Sequence, residues 1–264
     1  MKWENETDFY KLLYFIGKWE LVNIKMLKLE FPVVGRNWTR YMSTLTKMGY
    51  VRMTKYKFHI GNAKKLIPVN IYKLTNVGIQ EYHCHWESIP WVKSNISPVV
   101  LEHNFICLRV IKEYLKLNNP YRYYLGLEME YYRSSLKNKG IETSLDLKYA
   151  SFNKSVDFIY LKNVDGTDIK IAAEIELTQK TKHRYWGSKI KKTVFSKLNR
   201  DYQLGLFNSL EYYVPRNLYK FLKAIFDTAP DKYKLKMPWR ILILDEILLN
   251  YNNSQRYINV YKNI

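Results

Sequence analysis

The chain has 264 residues and a mass of 31.9 kDa, beyond the ~100–150 residues of a usual single domain, so two units with their own cores are expected. Hydrophobic residues at 47% and charged residues at 25% exclude a disordered or collagen-like chain. A balance of 43 Lys+Arg against 24 Asp+Glu leaves a net charge of +19, which makes a polyanion the natural partner.

Two cysteines, Cys84 and Cys107, make no disulfide framework, and the polar, acidic start Met1–Asp8 is unlike a signal peptide. No apolar run approaches the ~18–20 residues that span a bilayer. The expected setting is cytoplasmic, with nucleic acid rather than a membrane as the polyanion. A coding bias toward A·T-rich codons also yields Lys, Asn, Ile and Tyr, so the positions of the charges have to decide.

In chain order, Asp8 is placed to cap a helix through Phe9, Leu12, Leu13 and Ile16 that ends at Gly17. A second helix is predicted over Leu21–Phe31, stopped by Pro32. A third, Asn37–Met48, carries Trp38, Tyr41, Met42 and Leu45 at i, i+3, i+4, i+7. Arg36, Asn37, Arg40, Ser43 and Lys47 are left for the opposite face, as a helix that reads base edges requires. Two strands, Tyr50–His59 and Pro68–Leu74, follow around a loop. From Lys47 to Lys65 the basic residues Lys47, Arg52, Lys55, Lys57, Lys64 and Lys65 meet no acid, so the hairpin suits a phosphate backbone. Leu74–Gly78 closes this region as a short helix. The order of elements resembles a winged helix-turn-helix domain over residues 1–85; the bland alternative is a core helix with a solvated basic face. His83-Cys84-His85 has the form of a nickase metal motif but sits beside the linker predicted over residues 86–98, where Ser88, Pro90, Ser94, Ser97 and Pro98 break all periodicity. Residues 1–94 hold 15 basic and 7 acidic residues, net +8, and residues 95–264 the other 28 and 17, net +11. Both parts are basic.

The second domain is predicted over residues 99–264. Its elements are a helix at Val99–Leu117, strands at Tyr124–Tyr132, Val156–Leu161 and Ile169–Leu177, a helix at Lys189–Leu198, a strand at Leu210–Val214, a helix at Asn217–Phe226 and a strand at Arg240–Leu244. That order gives an α/β sheet covered by helices. Asp157 opens one apolar strand, and Glu174 and Glu176 lie two apart on the next, so their carboxylates share a face. Converging carboxylates repel and lose hydration, which a divalent cation relieves; the alternative is acids decorating a wet face. Between Leu177 and Arg200 stand Lys180, Lys182, Arg184, Lys189, Lys191, Lys192, Lys197 and Arg200 without an acid, a stretch suited to phosphates, with Tyr185 and Trp186 available to stack on a base. No glycine loop of a nucleotide-binding protein and no serine-hydrolase elbow is present.

Ser155-Val156-Asp157 and Glu174-Ile175-Glu176 on successive strands resemble the PD-(D/E)XK nuclease-like fold. Leu101-Glu102-His103-Asn104, the Asp157 strand, and Ala172–Lys180 followed by His183-Arg184-Tyr185 are similar to the replication-relaxation proteins of bacterial plasmids and mobile elements, which also place a winged helix in front. The resemblance implies a DNA-binding protein of replication, relaxation or transfer, with other proteins of the element as partners and room for a homodimer. It also implies Mg²⁺ on Asp157 and Glu174 and catalytic roles for Asp157, Glu174, Glu176 and Lys180. Two departures stand out. Ser155-Val156 replaces the expected proline near the aspartate, and Glu176 stands where the pattern has lysine, with Lys180 or Lys170 as substitutes and Glu102 as a further acid. Activity then divides between a DNA-binding platform, a metal-dependent nickase or endonuclease, and a simple transcriptional repressor.

Overall fold

The computed structural model describes residues 6–32, 37–60, 66–85, 100–119, 122–126, 156–186, 194–251 and 257–262. Helices and sheets mix throughout, an α/β architecture. By internal packing the chain forms two units, Met1–Lys112 with Asn252–Ile264, and Glu113–Tyr251. The linker expected at 86–98 lies outside the described residues.

In the first unit α1 (Glu6–Trp19) buries Leu12, Leu13 and Ile16. Asp8 lies inside this helix rather than capping it, and the helix runs past Gly17. A Cβ on Gly17 would stand 2.6 Å from the Tyr82 ring, so glycine serves close packing there and not termination. Glu20, with φ of 59°, turns the chain out of the helix. Helix α2 (Ile24–Glu30) starts later than expected because Val22 pairs as an isolated bridge with Tyr72, leaving Asn23 to cap Met26 N at 3.0 Å. Helix α3 (Trp38–Lys47) follows, then the antiparallel strands β1 (Val51–Ile60) and β2 (Leu66–Leu74), in register from Val51↔Leu74 to His59↔Leu66.

The closing helix is longer than its sequence signal. Helix α4 spans Asn76–His85, with the Thr75 hydroxyl accepting from Gly78 N at 3.1 Å. Its backbone carries His83-Cys84-His85, the end of a helix and not a central strand. Helix α5 (Val100–Arg109), expected at the head of the second unit, belongs with the first. Asn104 donates to the Trp19 carbonyl at 3.1 Å, and Lys112, in the π-helical turn Val110–Tyr114 that continues the helix, pairs with Glu30 at 2.9 Å.

The second unit is one five-stranded sheet in the order β3-β4-β5-β6-β7, formed by β3 (Tyr123–Leu125), β4 (Phe158–Val164), β5 (Thr167–Ile175), β6 (Ser209–Val214) and β7 (Trp239–Ile243). The first three strands are antiparallel, and β6 and β7 run parallel to β5. The connections between parallel strands are helical: α6 (Lys182–Trp186) and α7 (Val194–Gln203) precede β6, and α8 (Arg216–Asp227) precedes β7. Phe195, Leu198, Leu222, Ile225 and Phe226 from α7 and α8 share one core with Ile159, Ala172, Leu210, Tyr212 and Val214 of the sheet. The rest of the strand expected at Tyr124–Tyr132 and the start of the helix expected at Lys189 fall outside the described residues.

A short helix α9 (Leu244–Ile247) follows β7, and the last strand, β8 (Tyr257–Lys262), returns to the first unit and pairs antiparallel with β1 to make the sheet β2-β1-β8. No helix among the described residues is long and apolar enough to cross a membrane.

Candidate carboxylate site and basic surface

Two arrangements of charge stand out, one per unit. In the first, α3 buries Trp38, Met42 and Leu45 and turns Thr39, Arg40, Ser43 and Lys47 outward. With Asn37 and Thr44 these side chains line an open polar groove of about 600 Å³. Asn37 has a structural task as well: its Oδ1 accepts from Arg40 N at 3.1 Å and caps the helix. Arg52, Lys55 and Lys57 are exposed along β1. From Phe31 to Gln80 the sequence contains no Asp or Glu. Arg36, Lys64 and Lys65 lie outside the described residues.

In the second unit, Asp157 precedes β4. Its N–H donates to the Ala173 carbonyl at 3.0 Å and its buried Oδ2 accepts from Ile175 N at 2.7 Å, which fixes the carboxylate beside Glu174. Glu174 faces Tyr212 in the parallel register of β5 and β6. Strand β5 ends at Ile175, two residues short of its expected end, yet Glu176 N still donates to the Tyr213 carbonyl at 3.0 Å, so the ladder continues through Glu176. The buried Glu176 carboxylate is well supplied with donors. Lys180 Nζ forms an ion pair with its Oε2, Tyr185 OH donates to the same oxygen at 3.3 Å, and the Thr178 N–H and hydroxyl approach Oε1 at 3.4 and 3.5 Å. Lys180 therefore reaches back to Glu176. Lys170, four residues before Glu174 on an extended strand, is about 13 Å away along the chain and exposed. Glu102 lies on α5 in the other unit.

Tyr212 completes this face. It is 1% exposed, its ring packs edge-on against Phe226 at 5.0 Å, and its hydroxyl has no hydrogen-bond partner among the described residues. Burial pushes its proton affinity well up, and the charges of Glu174, Glu176 and Asp157 push in the same direction. A carboxylate set with one lysine, and a buried hydroxyl oxygen with nothing to bond among the described residues, suits a hydrated divalent cation by its oxygen chemistry. Tyr185 is buried as well: its ring lies 5.6 Å from Phe195 and its hydroxyl is on Glu176, so it does not stack on a base as expected from sequence. Trp186 is half-buried against the same ring at 6.0 Å. Lys182 and Arg184 are exposed on α6; Lys189, Lys191 and Lys192 fall outside the described residues.

The opposite face of the sheet holds another buried acid. Glu211 accepts from Tyr160 OH at 3.0 Å, from Tyr213 OH, and from Arg240 through Nε at 2.8 Å and Nη2. A charged residue inside the apolar run Leu210–Val214 was the signal for it. No such signal marks Tyr212, which reads as one more core aromatic.

Comparison with known protein families, curated proteins and solved structures finds no match.

Proposed function

We propose that the chain binds DNA and acts in replication, relaxation or transfer of a bacterial plasmid or mobile element, its first unit serving as a winged helix-turn-helix and its second as a PD-(D/E)XK-like domain. One observation carries this reading: the outward face of α3, with Arg40, Ser43 and Lys47, is followed by a hairpin exposing Arg52, Lys55 and Lys57, with no acid from Phe31 to Gln80. An apolar stripe holds the helix to its own unit while Arg and Ser reach base edges and the lysines neutralise phosphates. The second unit's strands, antiparallel first and then parallel through helices, support the nuclease-like reading.

A second reading, a Mg²⁺-dependent nickase or endonuclease, is favoured by the Glu176–Lys180 ion pair, which returns a lysine to the acid site. Asp157 and Glu174 would hold the cation, which when bound activates water and neutralises phosphodiester charge. Glu176 holds Lys180, whose ammonium would stabilise negative charge on a phosphate. A gel shift and a supercoiled-plasmid assay with Mg²⁺ on one preparation test both readings. Nicking abolished by Asp157→Ala or Glu174→Ala with DNA affinity retained establishes the enzyme. Shifting without nicking leaves the binding platform, and failure to shift DNA at low salt overturns both.

A further inference from the structure

An O–H group buried without a partner costs about 1–3 kcal/mol, and such orphans in a folded protein call for a cause. Tyr212 is one, and its position is specific. The register that pairs Glu174 with Tyr212 sets the phenol on the same side of the sheet as the Glu174 carboxylate, with Asp157 fixed beside Glu174 by its bond to Ile175 N. The Phe226 ring, edge-on at 5.0 Å, and the surrounding core hold the ring. Glu176 is tied to Lys180 and Tyr185, so the phenol is not needed to satisfy it.

We propose that Tyr212 is a positioning residue of the carboxylate site, its hydroxyl accepting a hydrogen bond from a water in the hydration shell of a divalent cation held by Asp157 and Glu174. The inference rests on the cation-site reading above and assigns to it a residue outside the acid–lysine set. A metal-bound water is a strong donor, and a small divalent ion such as Mg²⁺ keeps several of its waters when bound by one or two carboxylates. A tyrosine phenol is protonated at neutral pH, so its oxygen is a neutral acceptor that adds no further negative charge. Groups that orient the inner ligands of a metal in this way typically change affinity 10- to 100-fold when removed.

The test compares full-length wild type, Tyr212→Phe and Asp157→Asn by thermal unfolding, without divalent cation and across titrations of MnCl₂ and MgCl₂. Tyr212→Phe is expected to melt at or above wild type in the absence of cation, because it deletes only an unpaired hydroxyl, and to bind Mn²⁺ about tenfold more weakly. Equal Mn²⁺ affinity in Tyr212→Phe and wild type overturns the role of Tyr212 while sparing the site, provided Asp157→Asn loses the shift. A lower melting temperature for Tyr212→Phe without cation also overturns it, since the hydroxyl would then serve folding. Absence of any cation-induced shift in wild type, or an undiminished shift in Asp157→Asn, overturns the cation site itself and the inference with it.

Discussion

The two faces of the second unit's sheet each bury carboxylates, and they are built differently. On one face Glu211 takes two phenols and a guanidinium, and every oxygen is satisfied from within the protein. On the other, Asp157, Glu174 and Glu176 share the face of the sheet with Tyr212, whose hydroxyl has no hydrogen-bond partner among the described residues. Glu211 is matched wholly by its own protein's donors and belongs to the fold; the acids of the other face lie beside a hydroxyl still open to a partner from outside the protein. Burial alone therefore does not distinguish a structural acid from a functional one, and the unpartnered hydroxyl on the same face does.

Substitutions sharpen that contrast. Glu211→Ala strands two buried phenols without an acceptor and should cost about 3 kcal/mol in chemical denaturation. Glu174→Ala, which relieves repulsion among three acids, should cost less than about 1 kcal/mol without cation while abolishing stabilisation by Mn²⁺. Equal losses for the two variants would erase the distinction. Lys180→Ala removes the counter-charge of Glu176, whose side chain is only 6% exposed. Because the lysine itself is partly open to water, a loss of about 1–2 kcal/mol is expected, and a loss under a few tenths would mean that the ion pair is not formed in solution.

A smaller effect tests a half-buried acid in the first unit. Burial pushes the Glu30 carboxyl above its ordinary value of 4.5, with Lys112 and Lys18 opposing. Its folded pKa then exceeds its unfolded one, so Glu30 contributes stability that is fully present below pH 4.5 and is lost as pH rises through the raised folded value. A carbon-detected titration of the Glu30 carboxyl should give a midpoint above 4.5; a midpoint below it would show that Lys112 outweighs burial.

Much of the first unit was legible because its signals are local. The i, i+3, i+4, i+7 spacing of Trp38, Tyr41, Met42 and Leu45 locates α3 to within a residue at each end, and the basic hairpin follows from alternation and charge. Gly17 misled because a glycine needed for contact with Tyr82, 65 positions later, looks the same in sequence as one that ends a helix. The acids at 157, 174 and 176 and the reach of Lys180 could be inferred from strand periodicity and an i, i+4 spacing. Tyr212 could not, because what matters is its parallel pairing with Glu174 across a helical crossover, which no local pattern encodes. Strand β8 was missed for the same reason: its partner β1 lies about two hundred residues earlier in the chain.

The proposed DNA contact is made by α3 and the hairpin, a stretch of chain without Asp or Glu. Its most direct test is fluorescence anisotropy of a labelled duplex titrated with full-length protein at several salt concentrations, for wild type and for Lys55→Ala/Lys57→Ala. Each phosphate contact contributes about 0.9 to the slope of log K against log salt. The account predicts a steep negative slope for wild type that is shallower by about 1.8 in the double variant, whereas an unchanged slope, or no binding even at low salt, would contradict it.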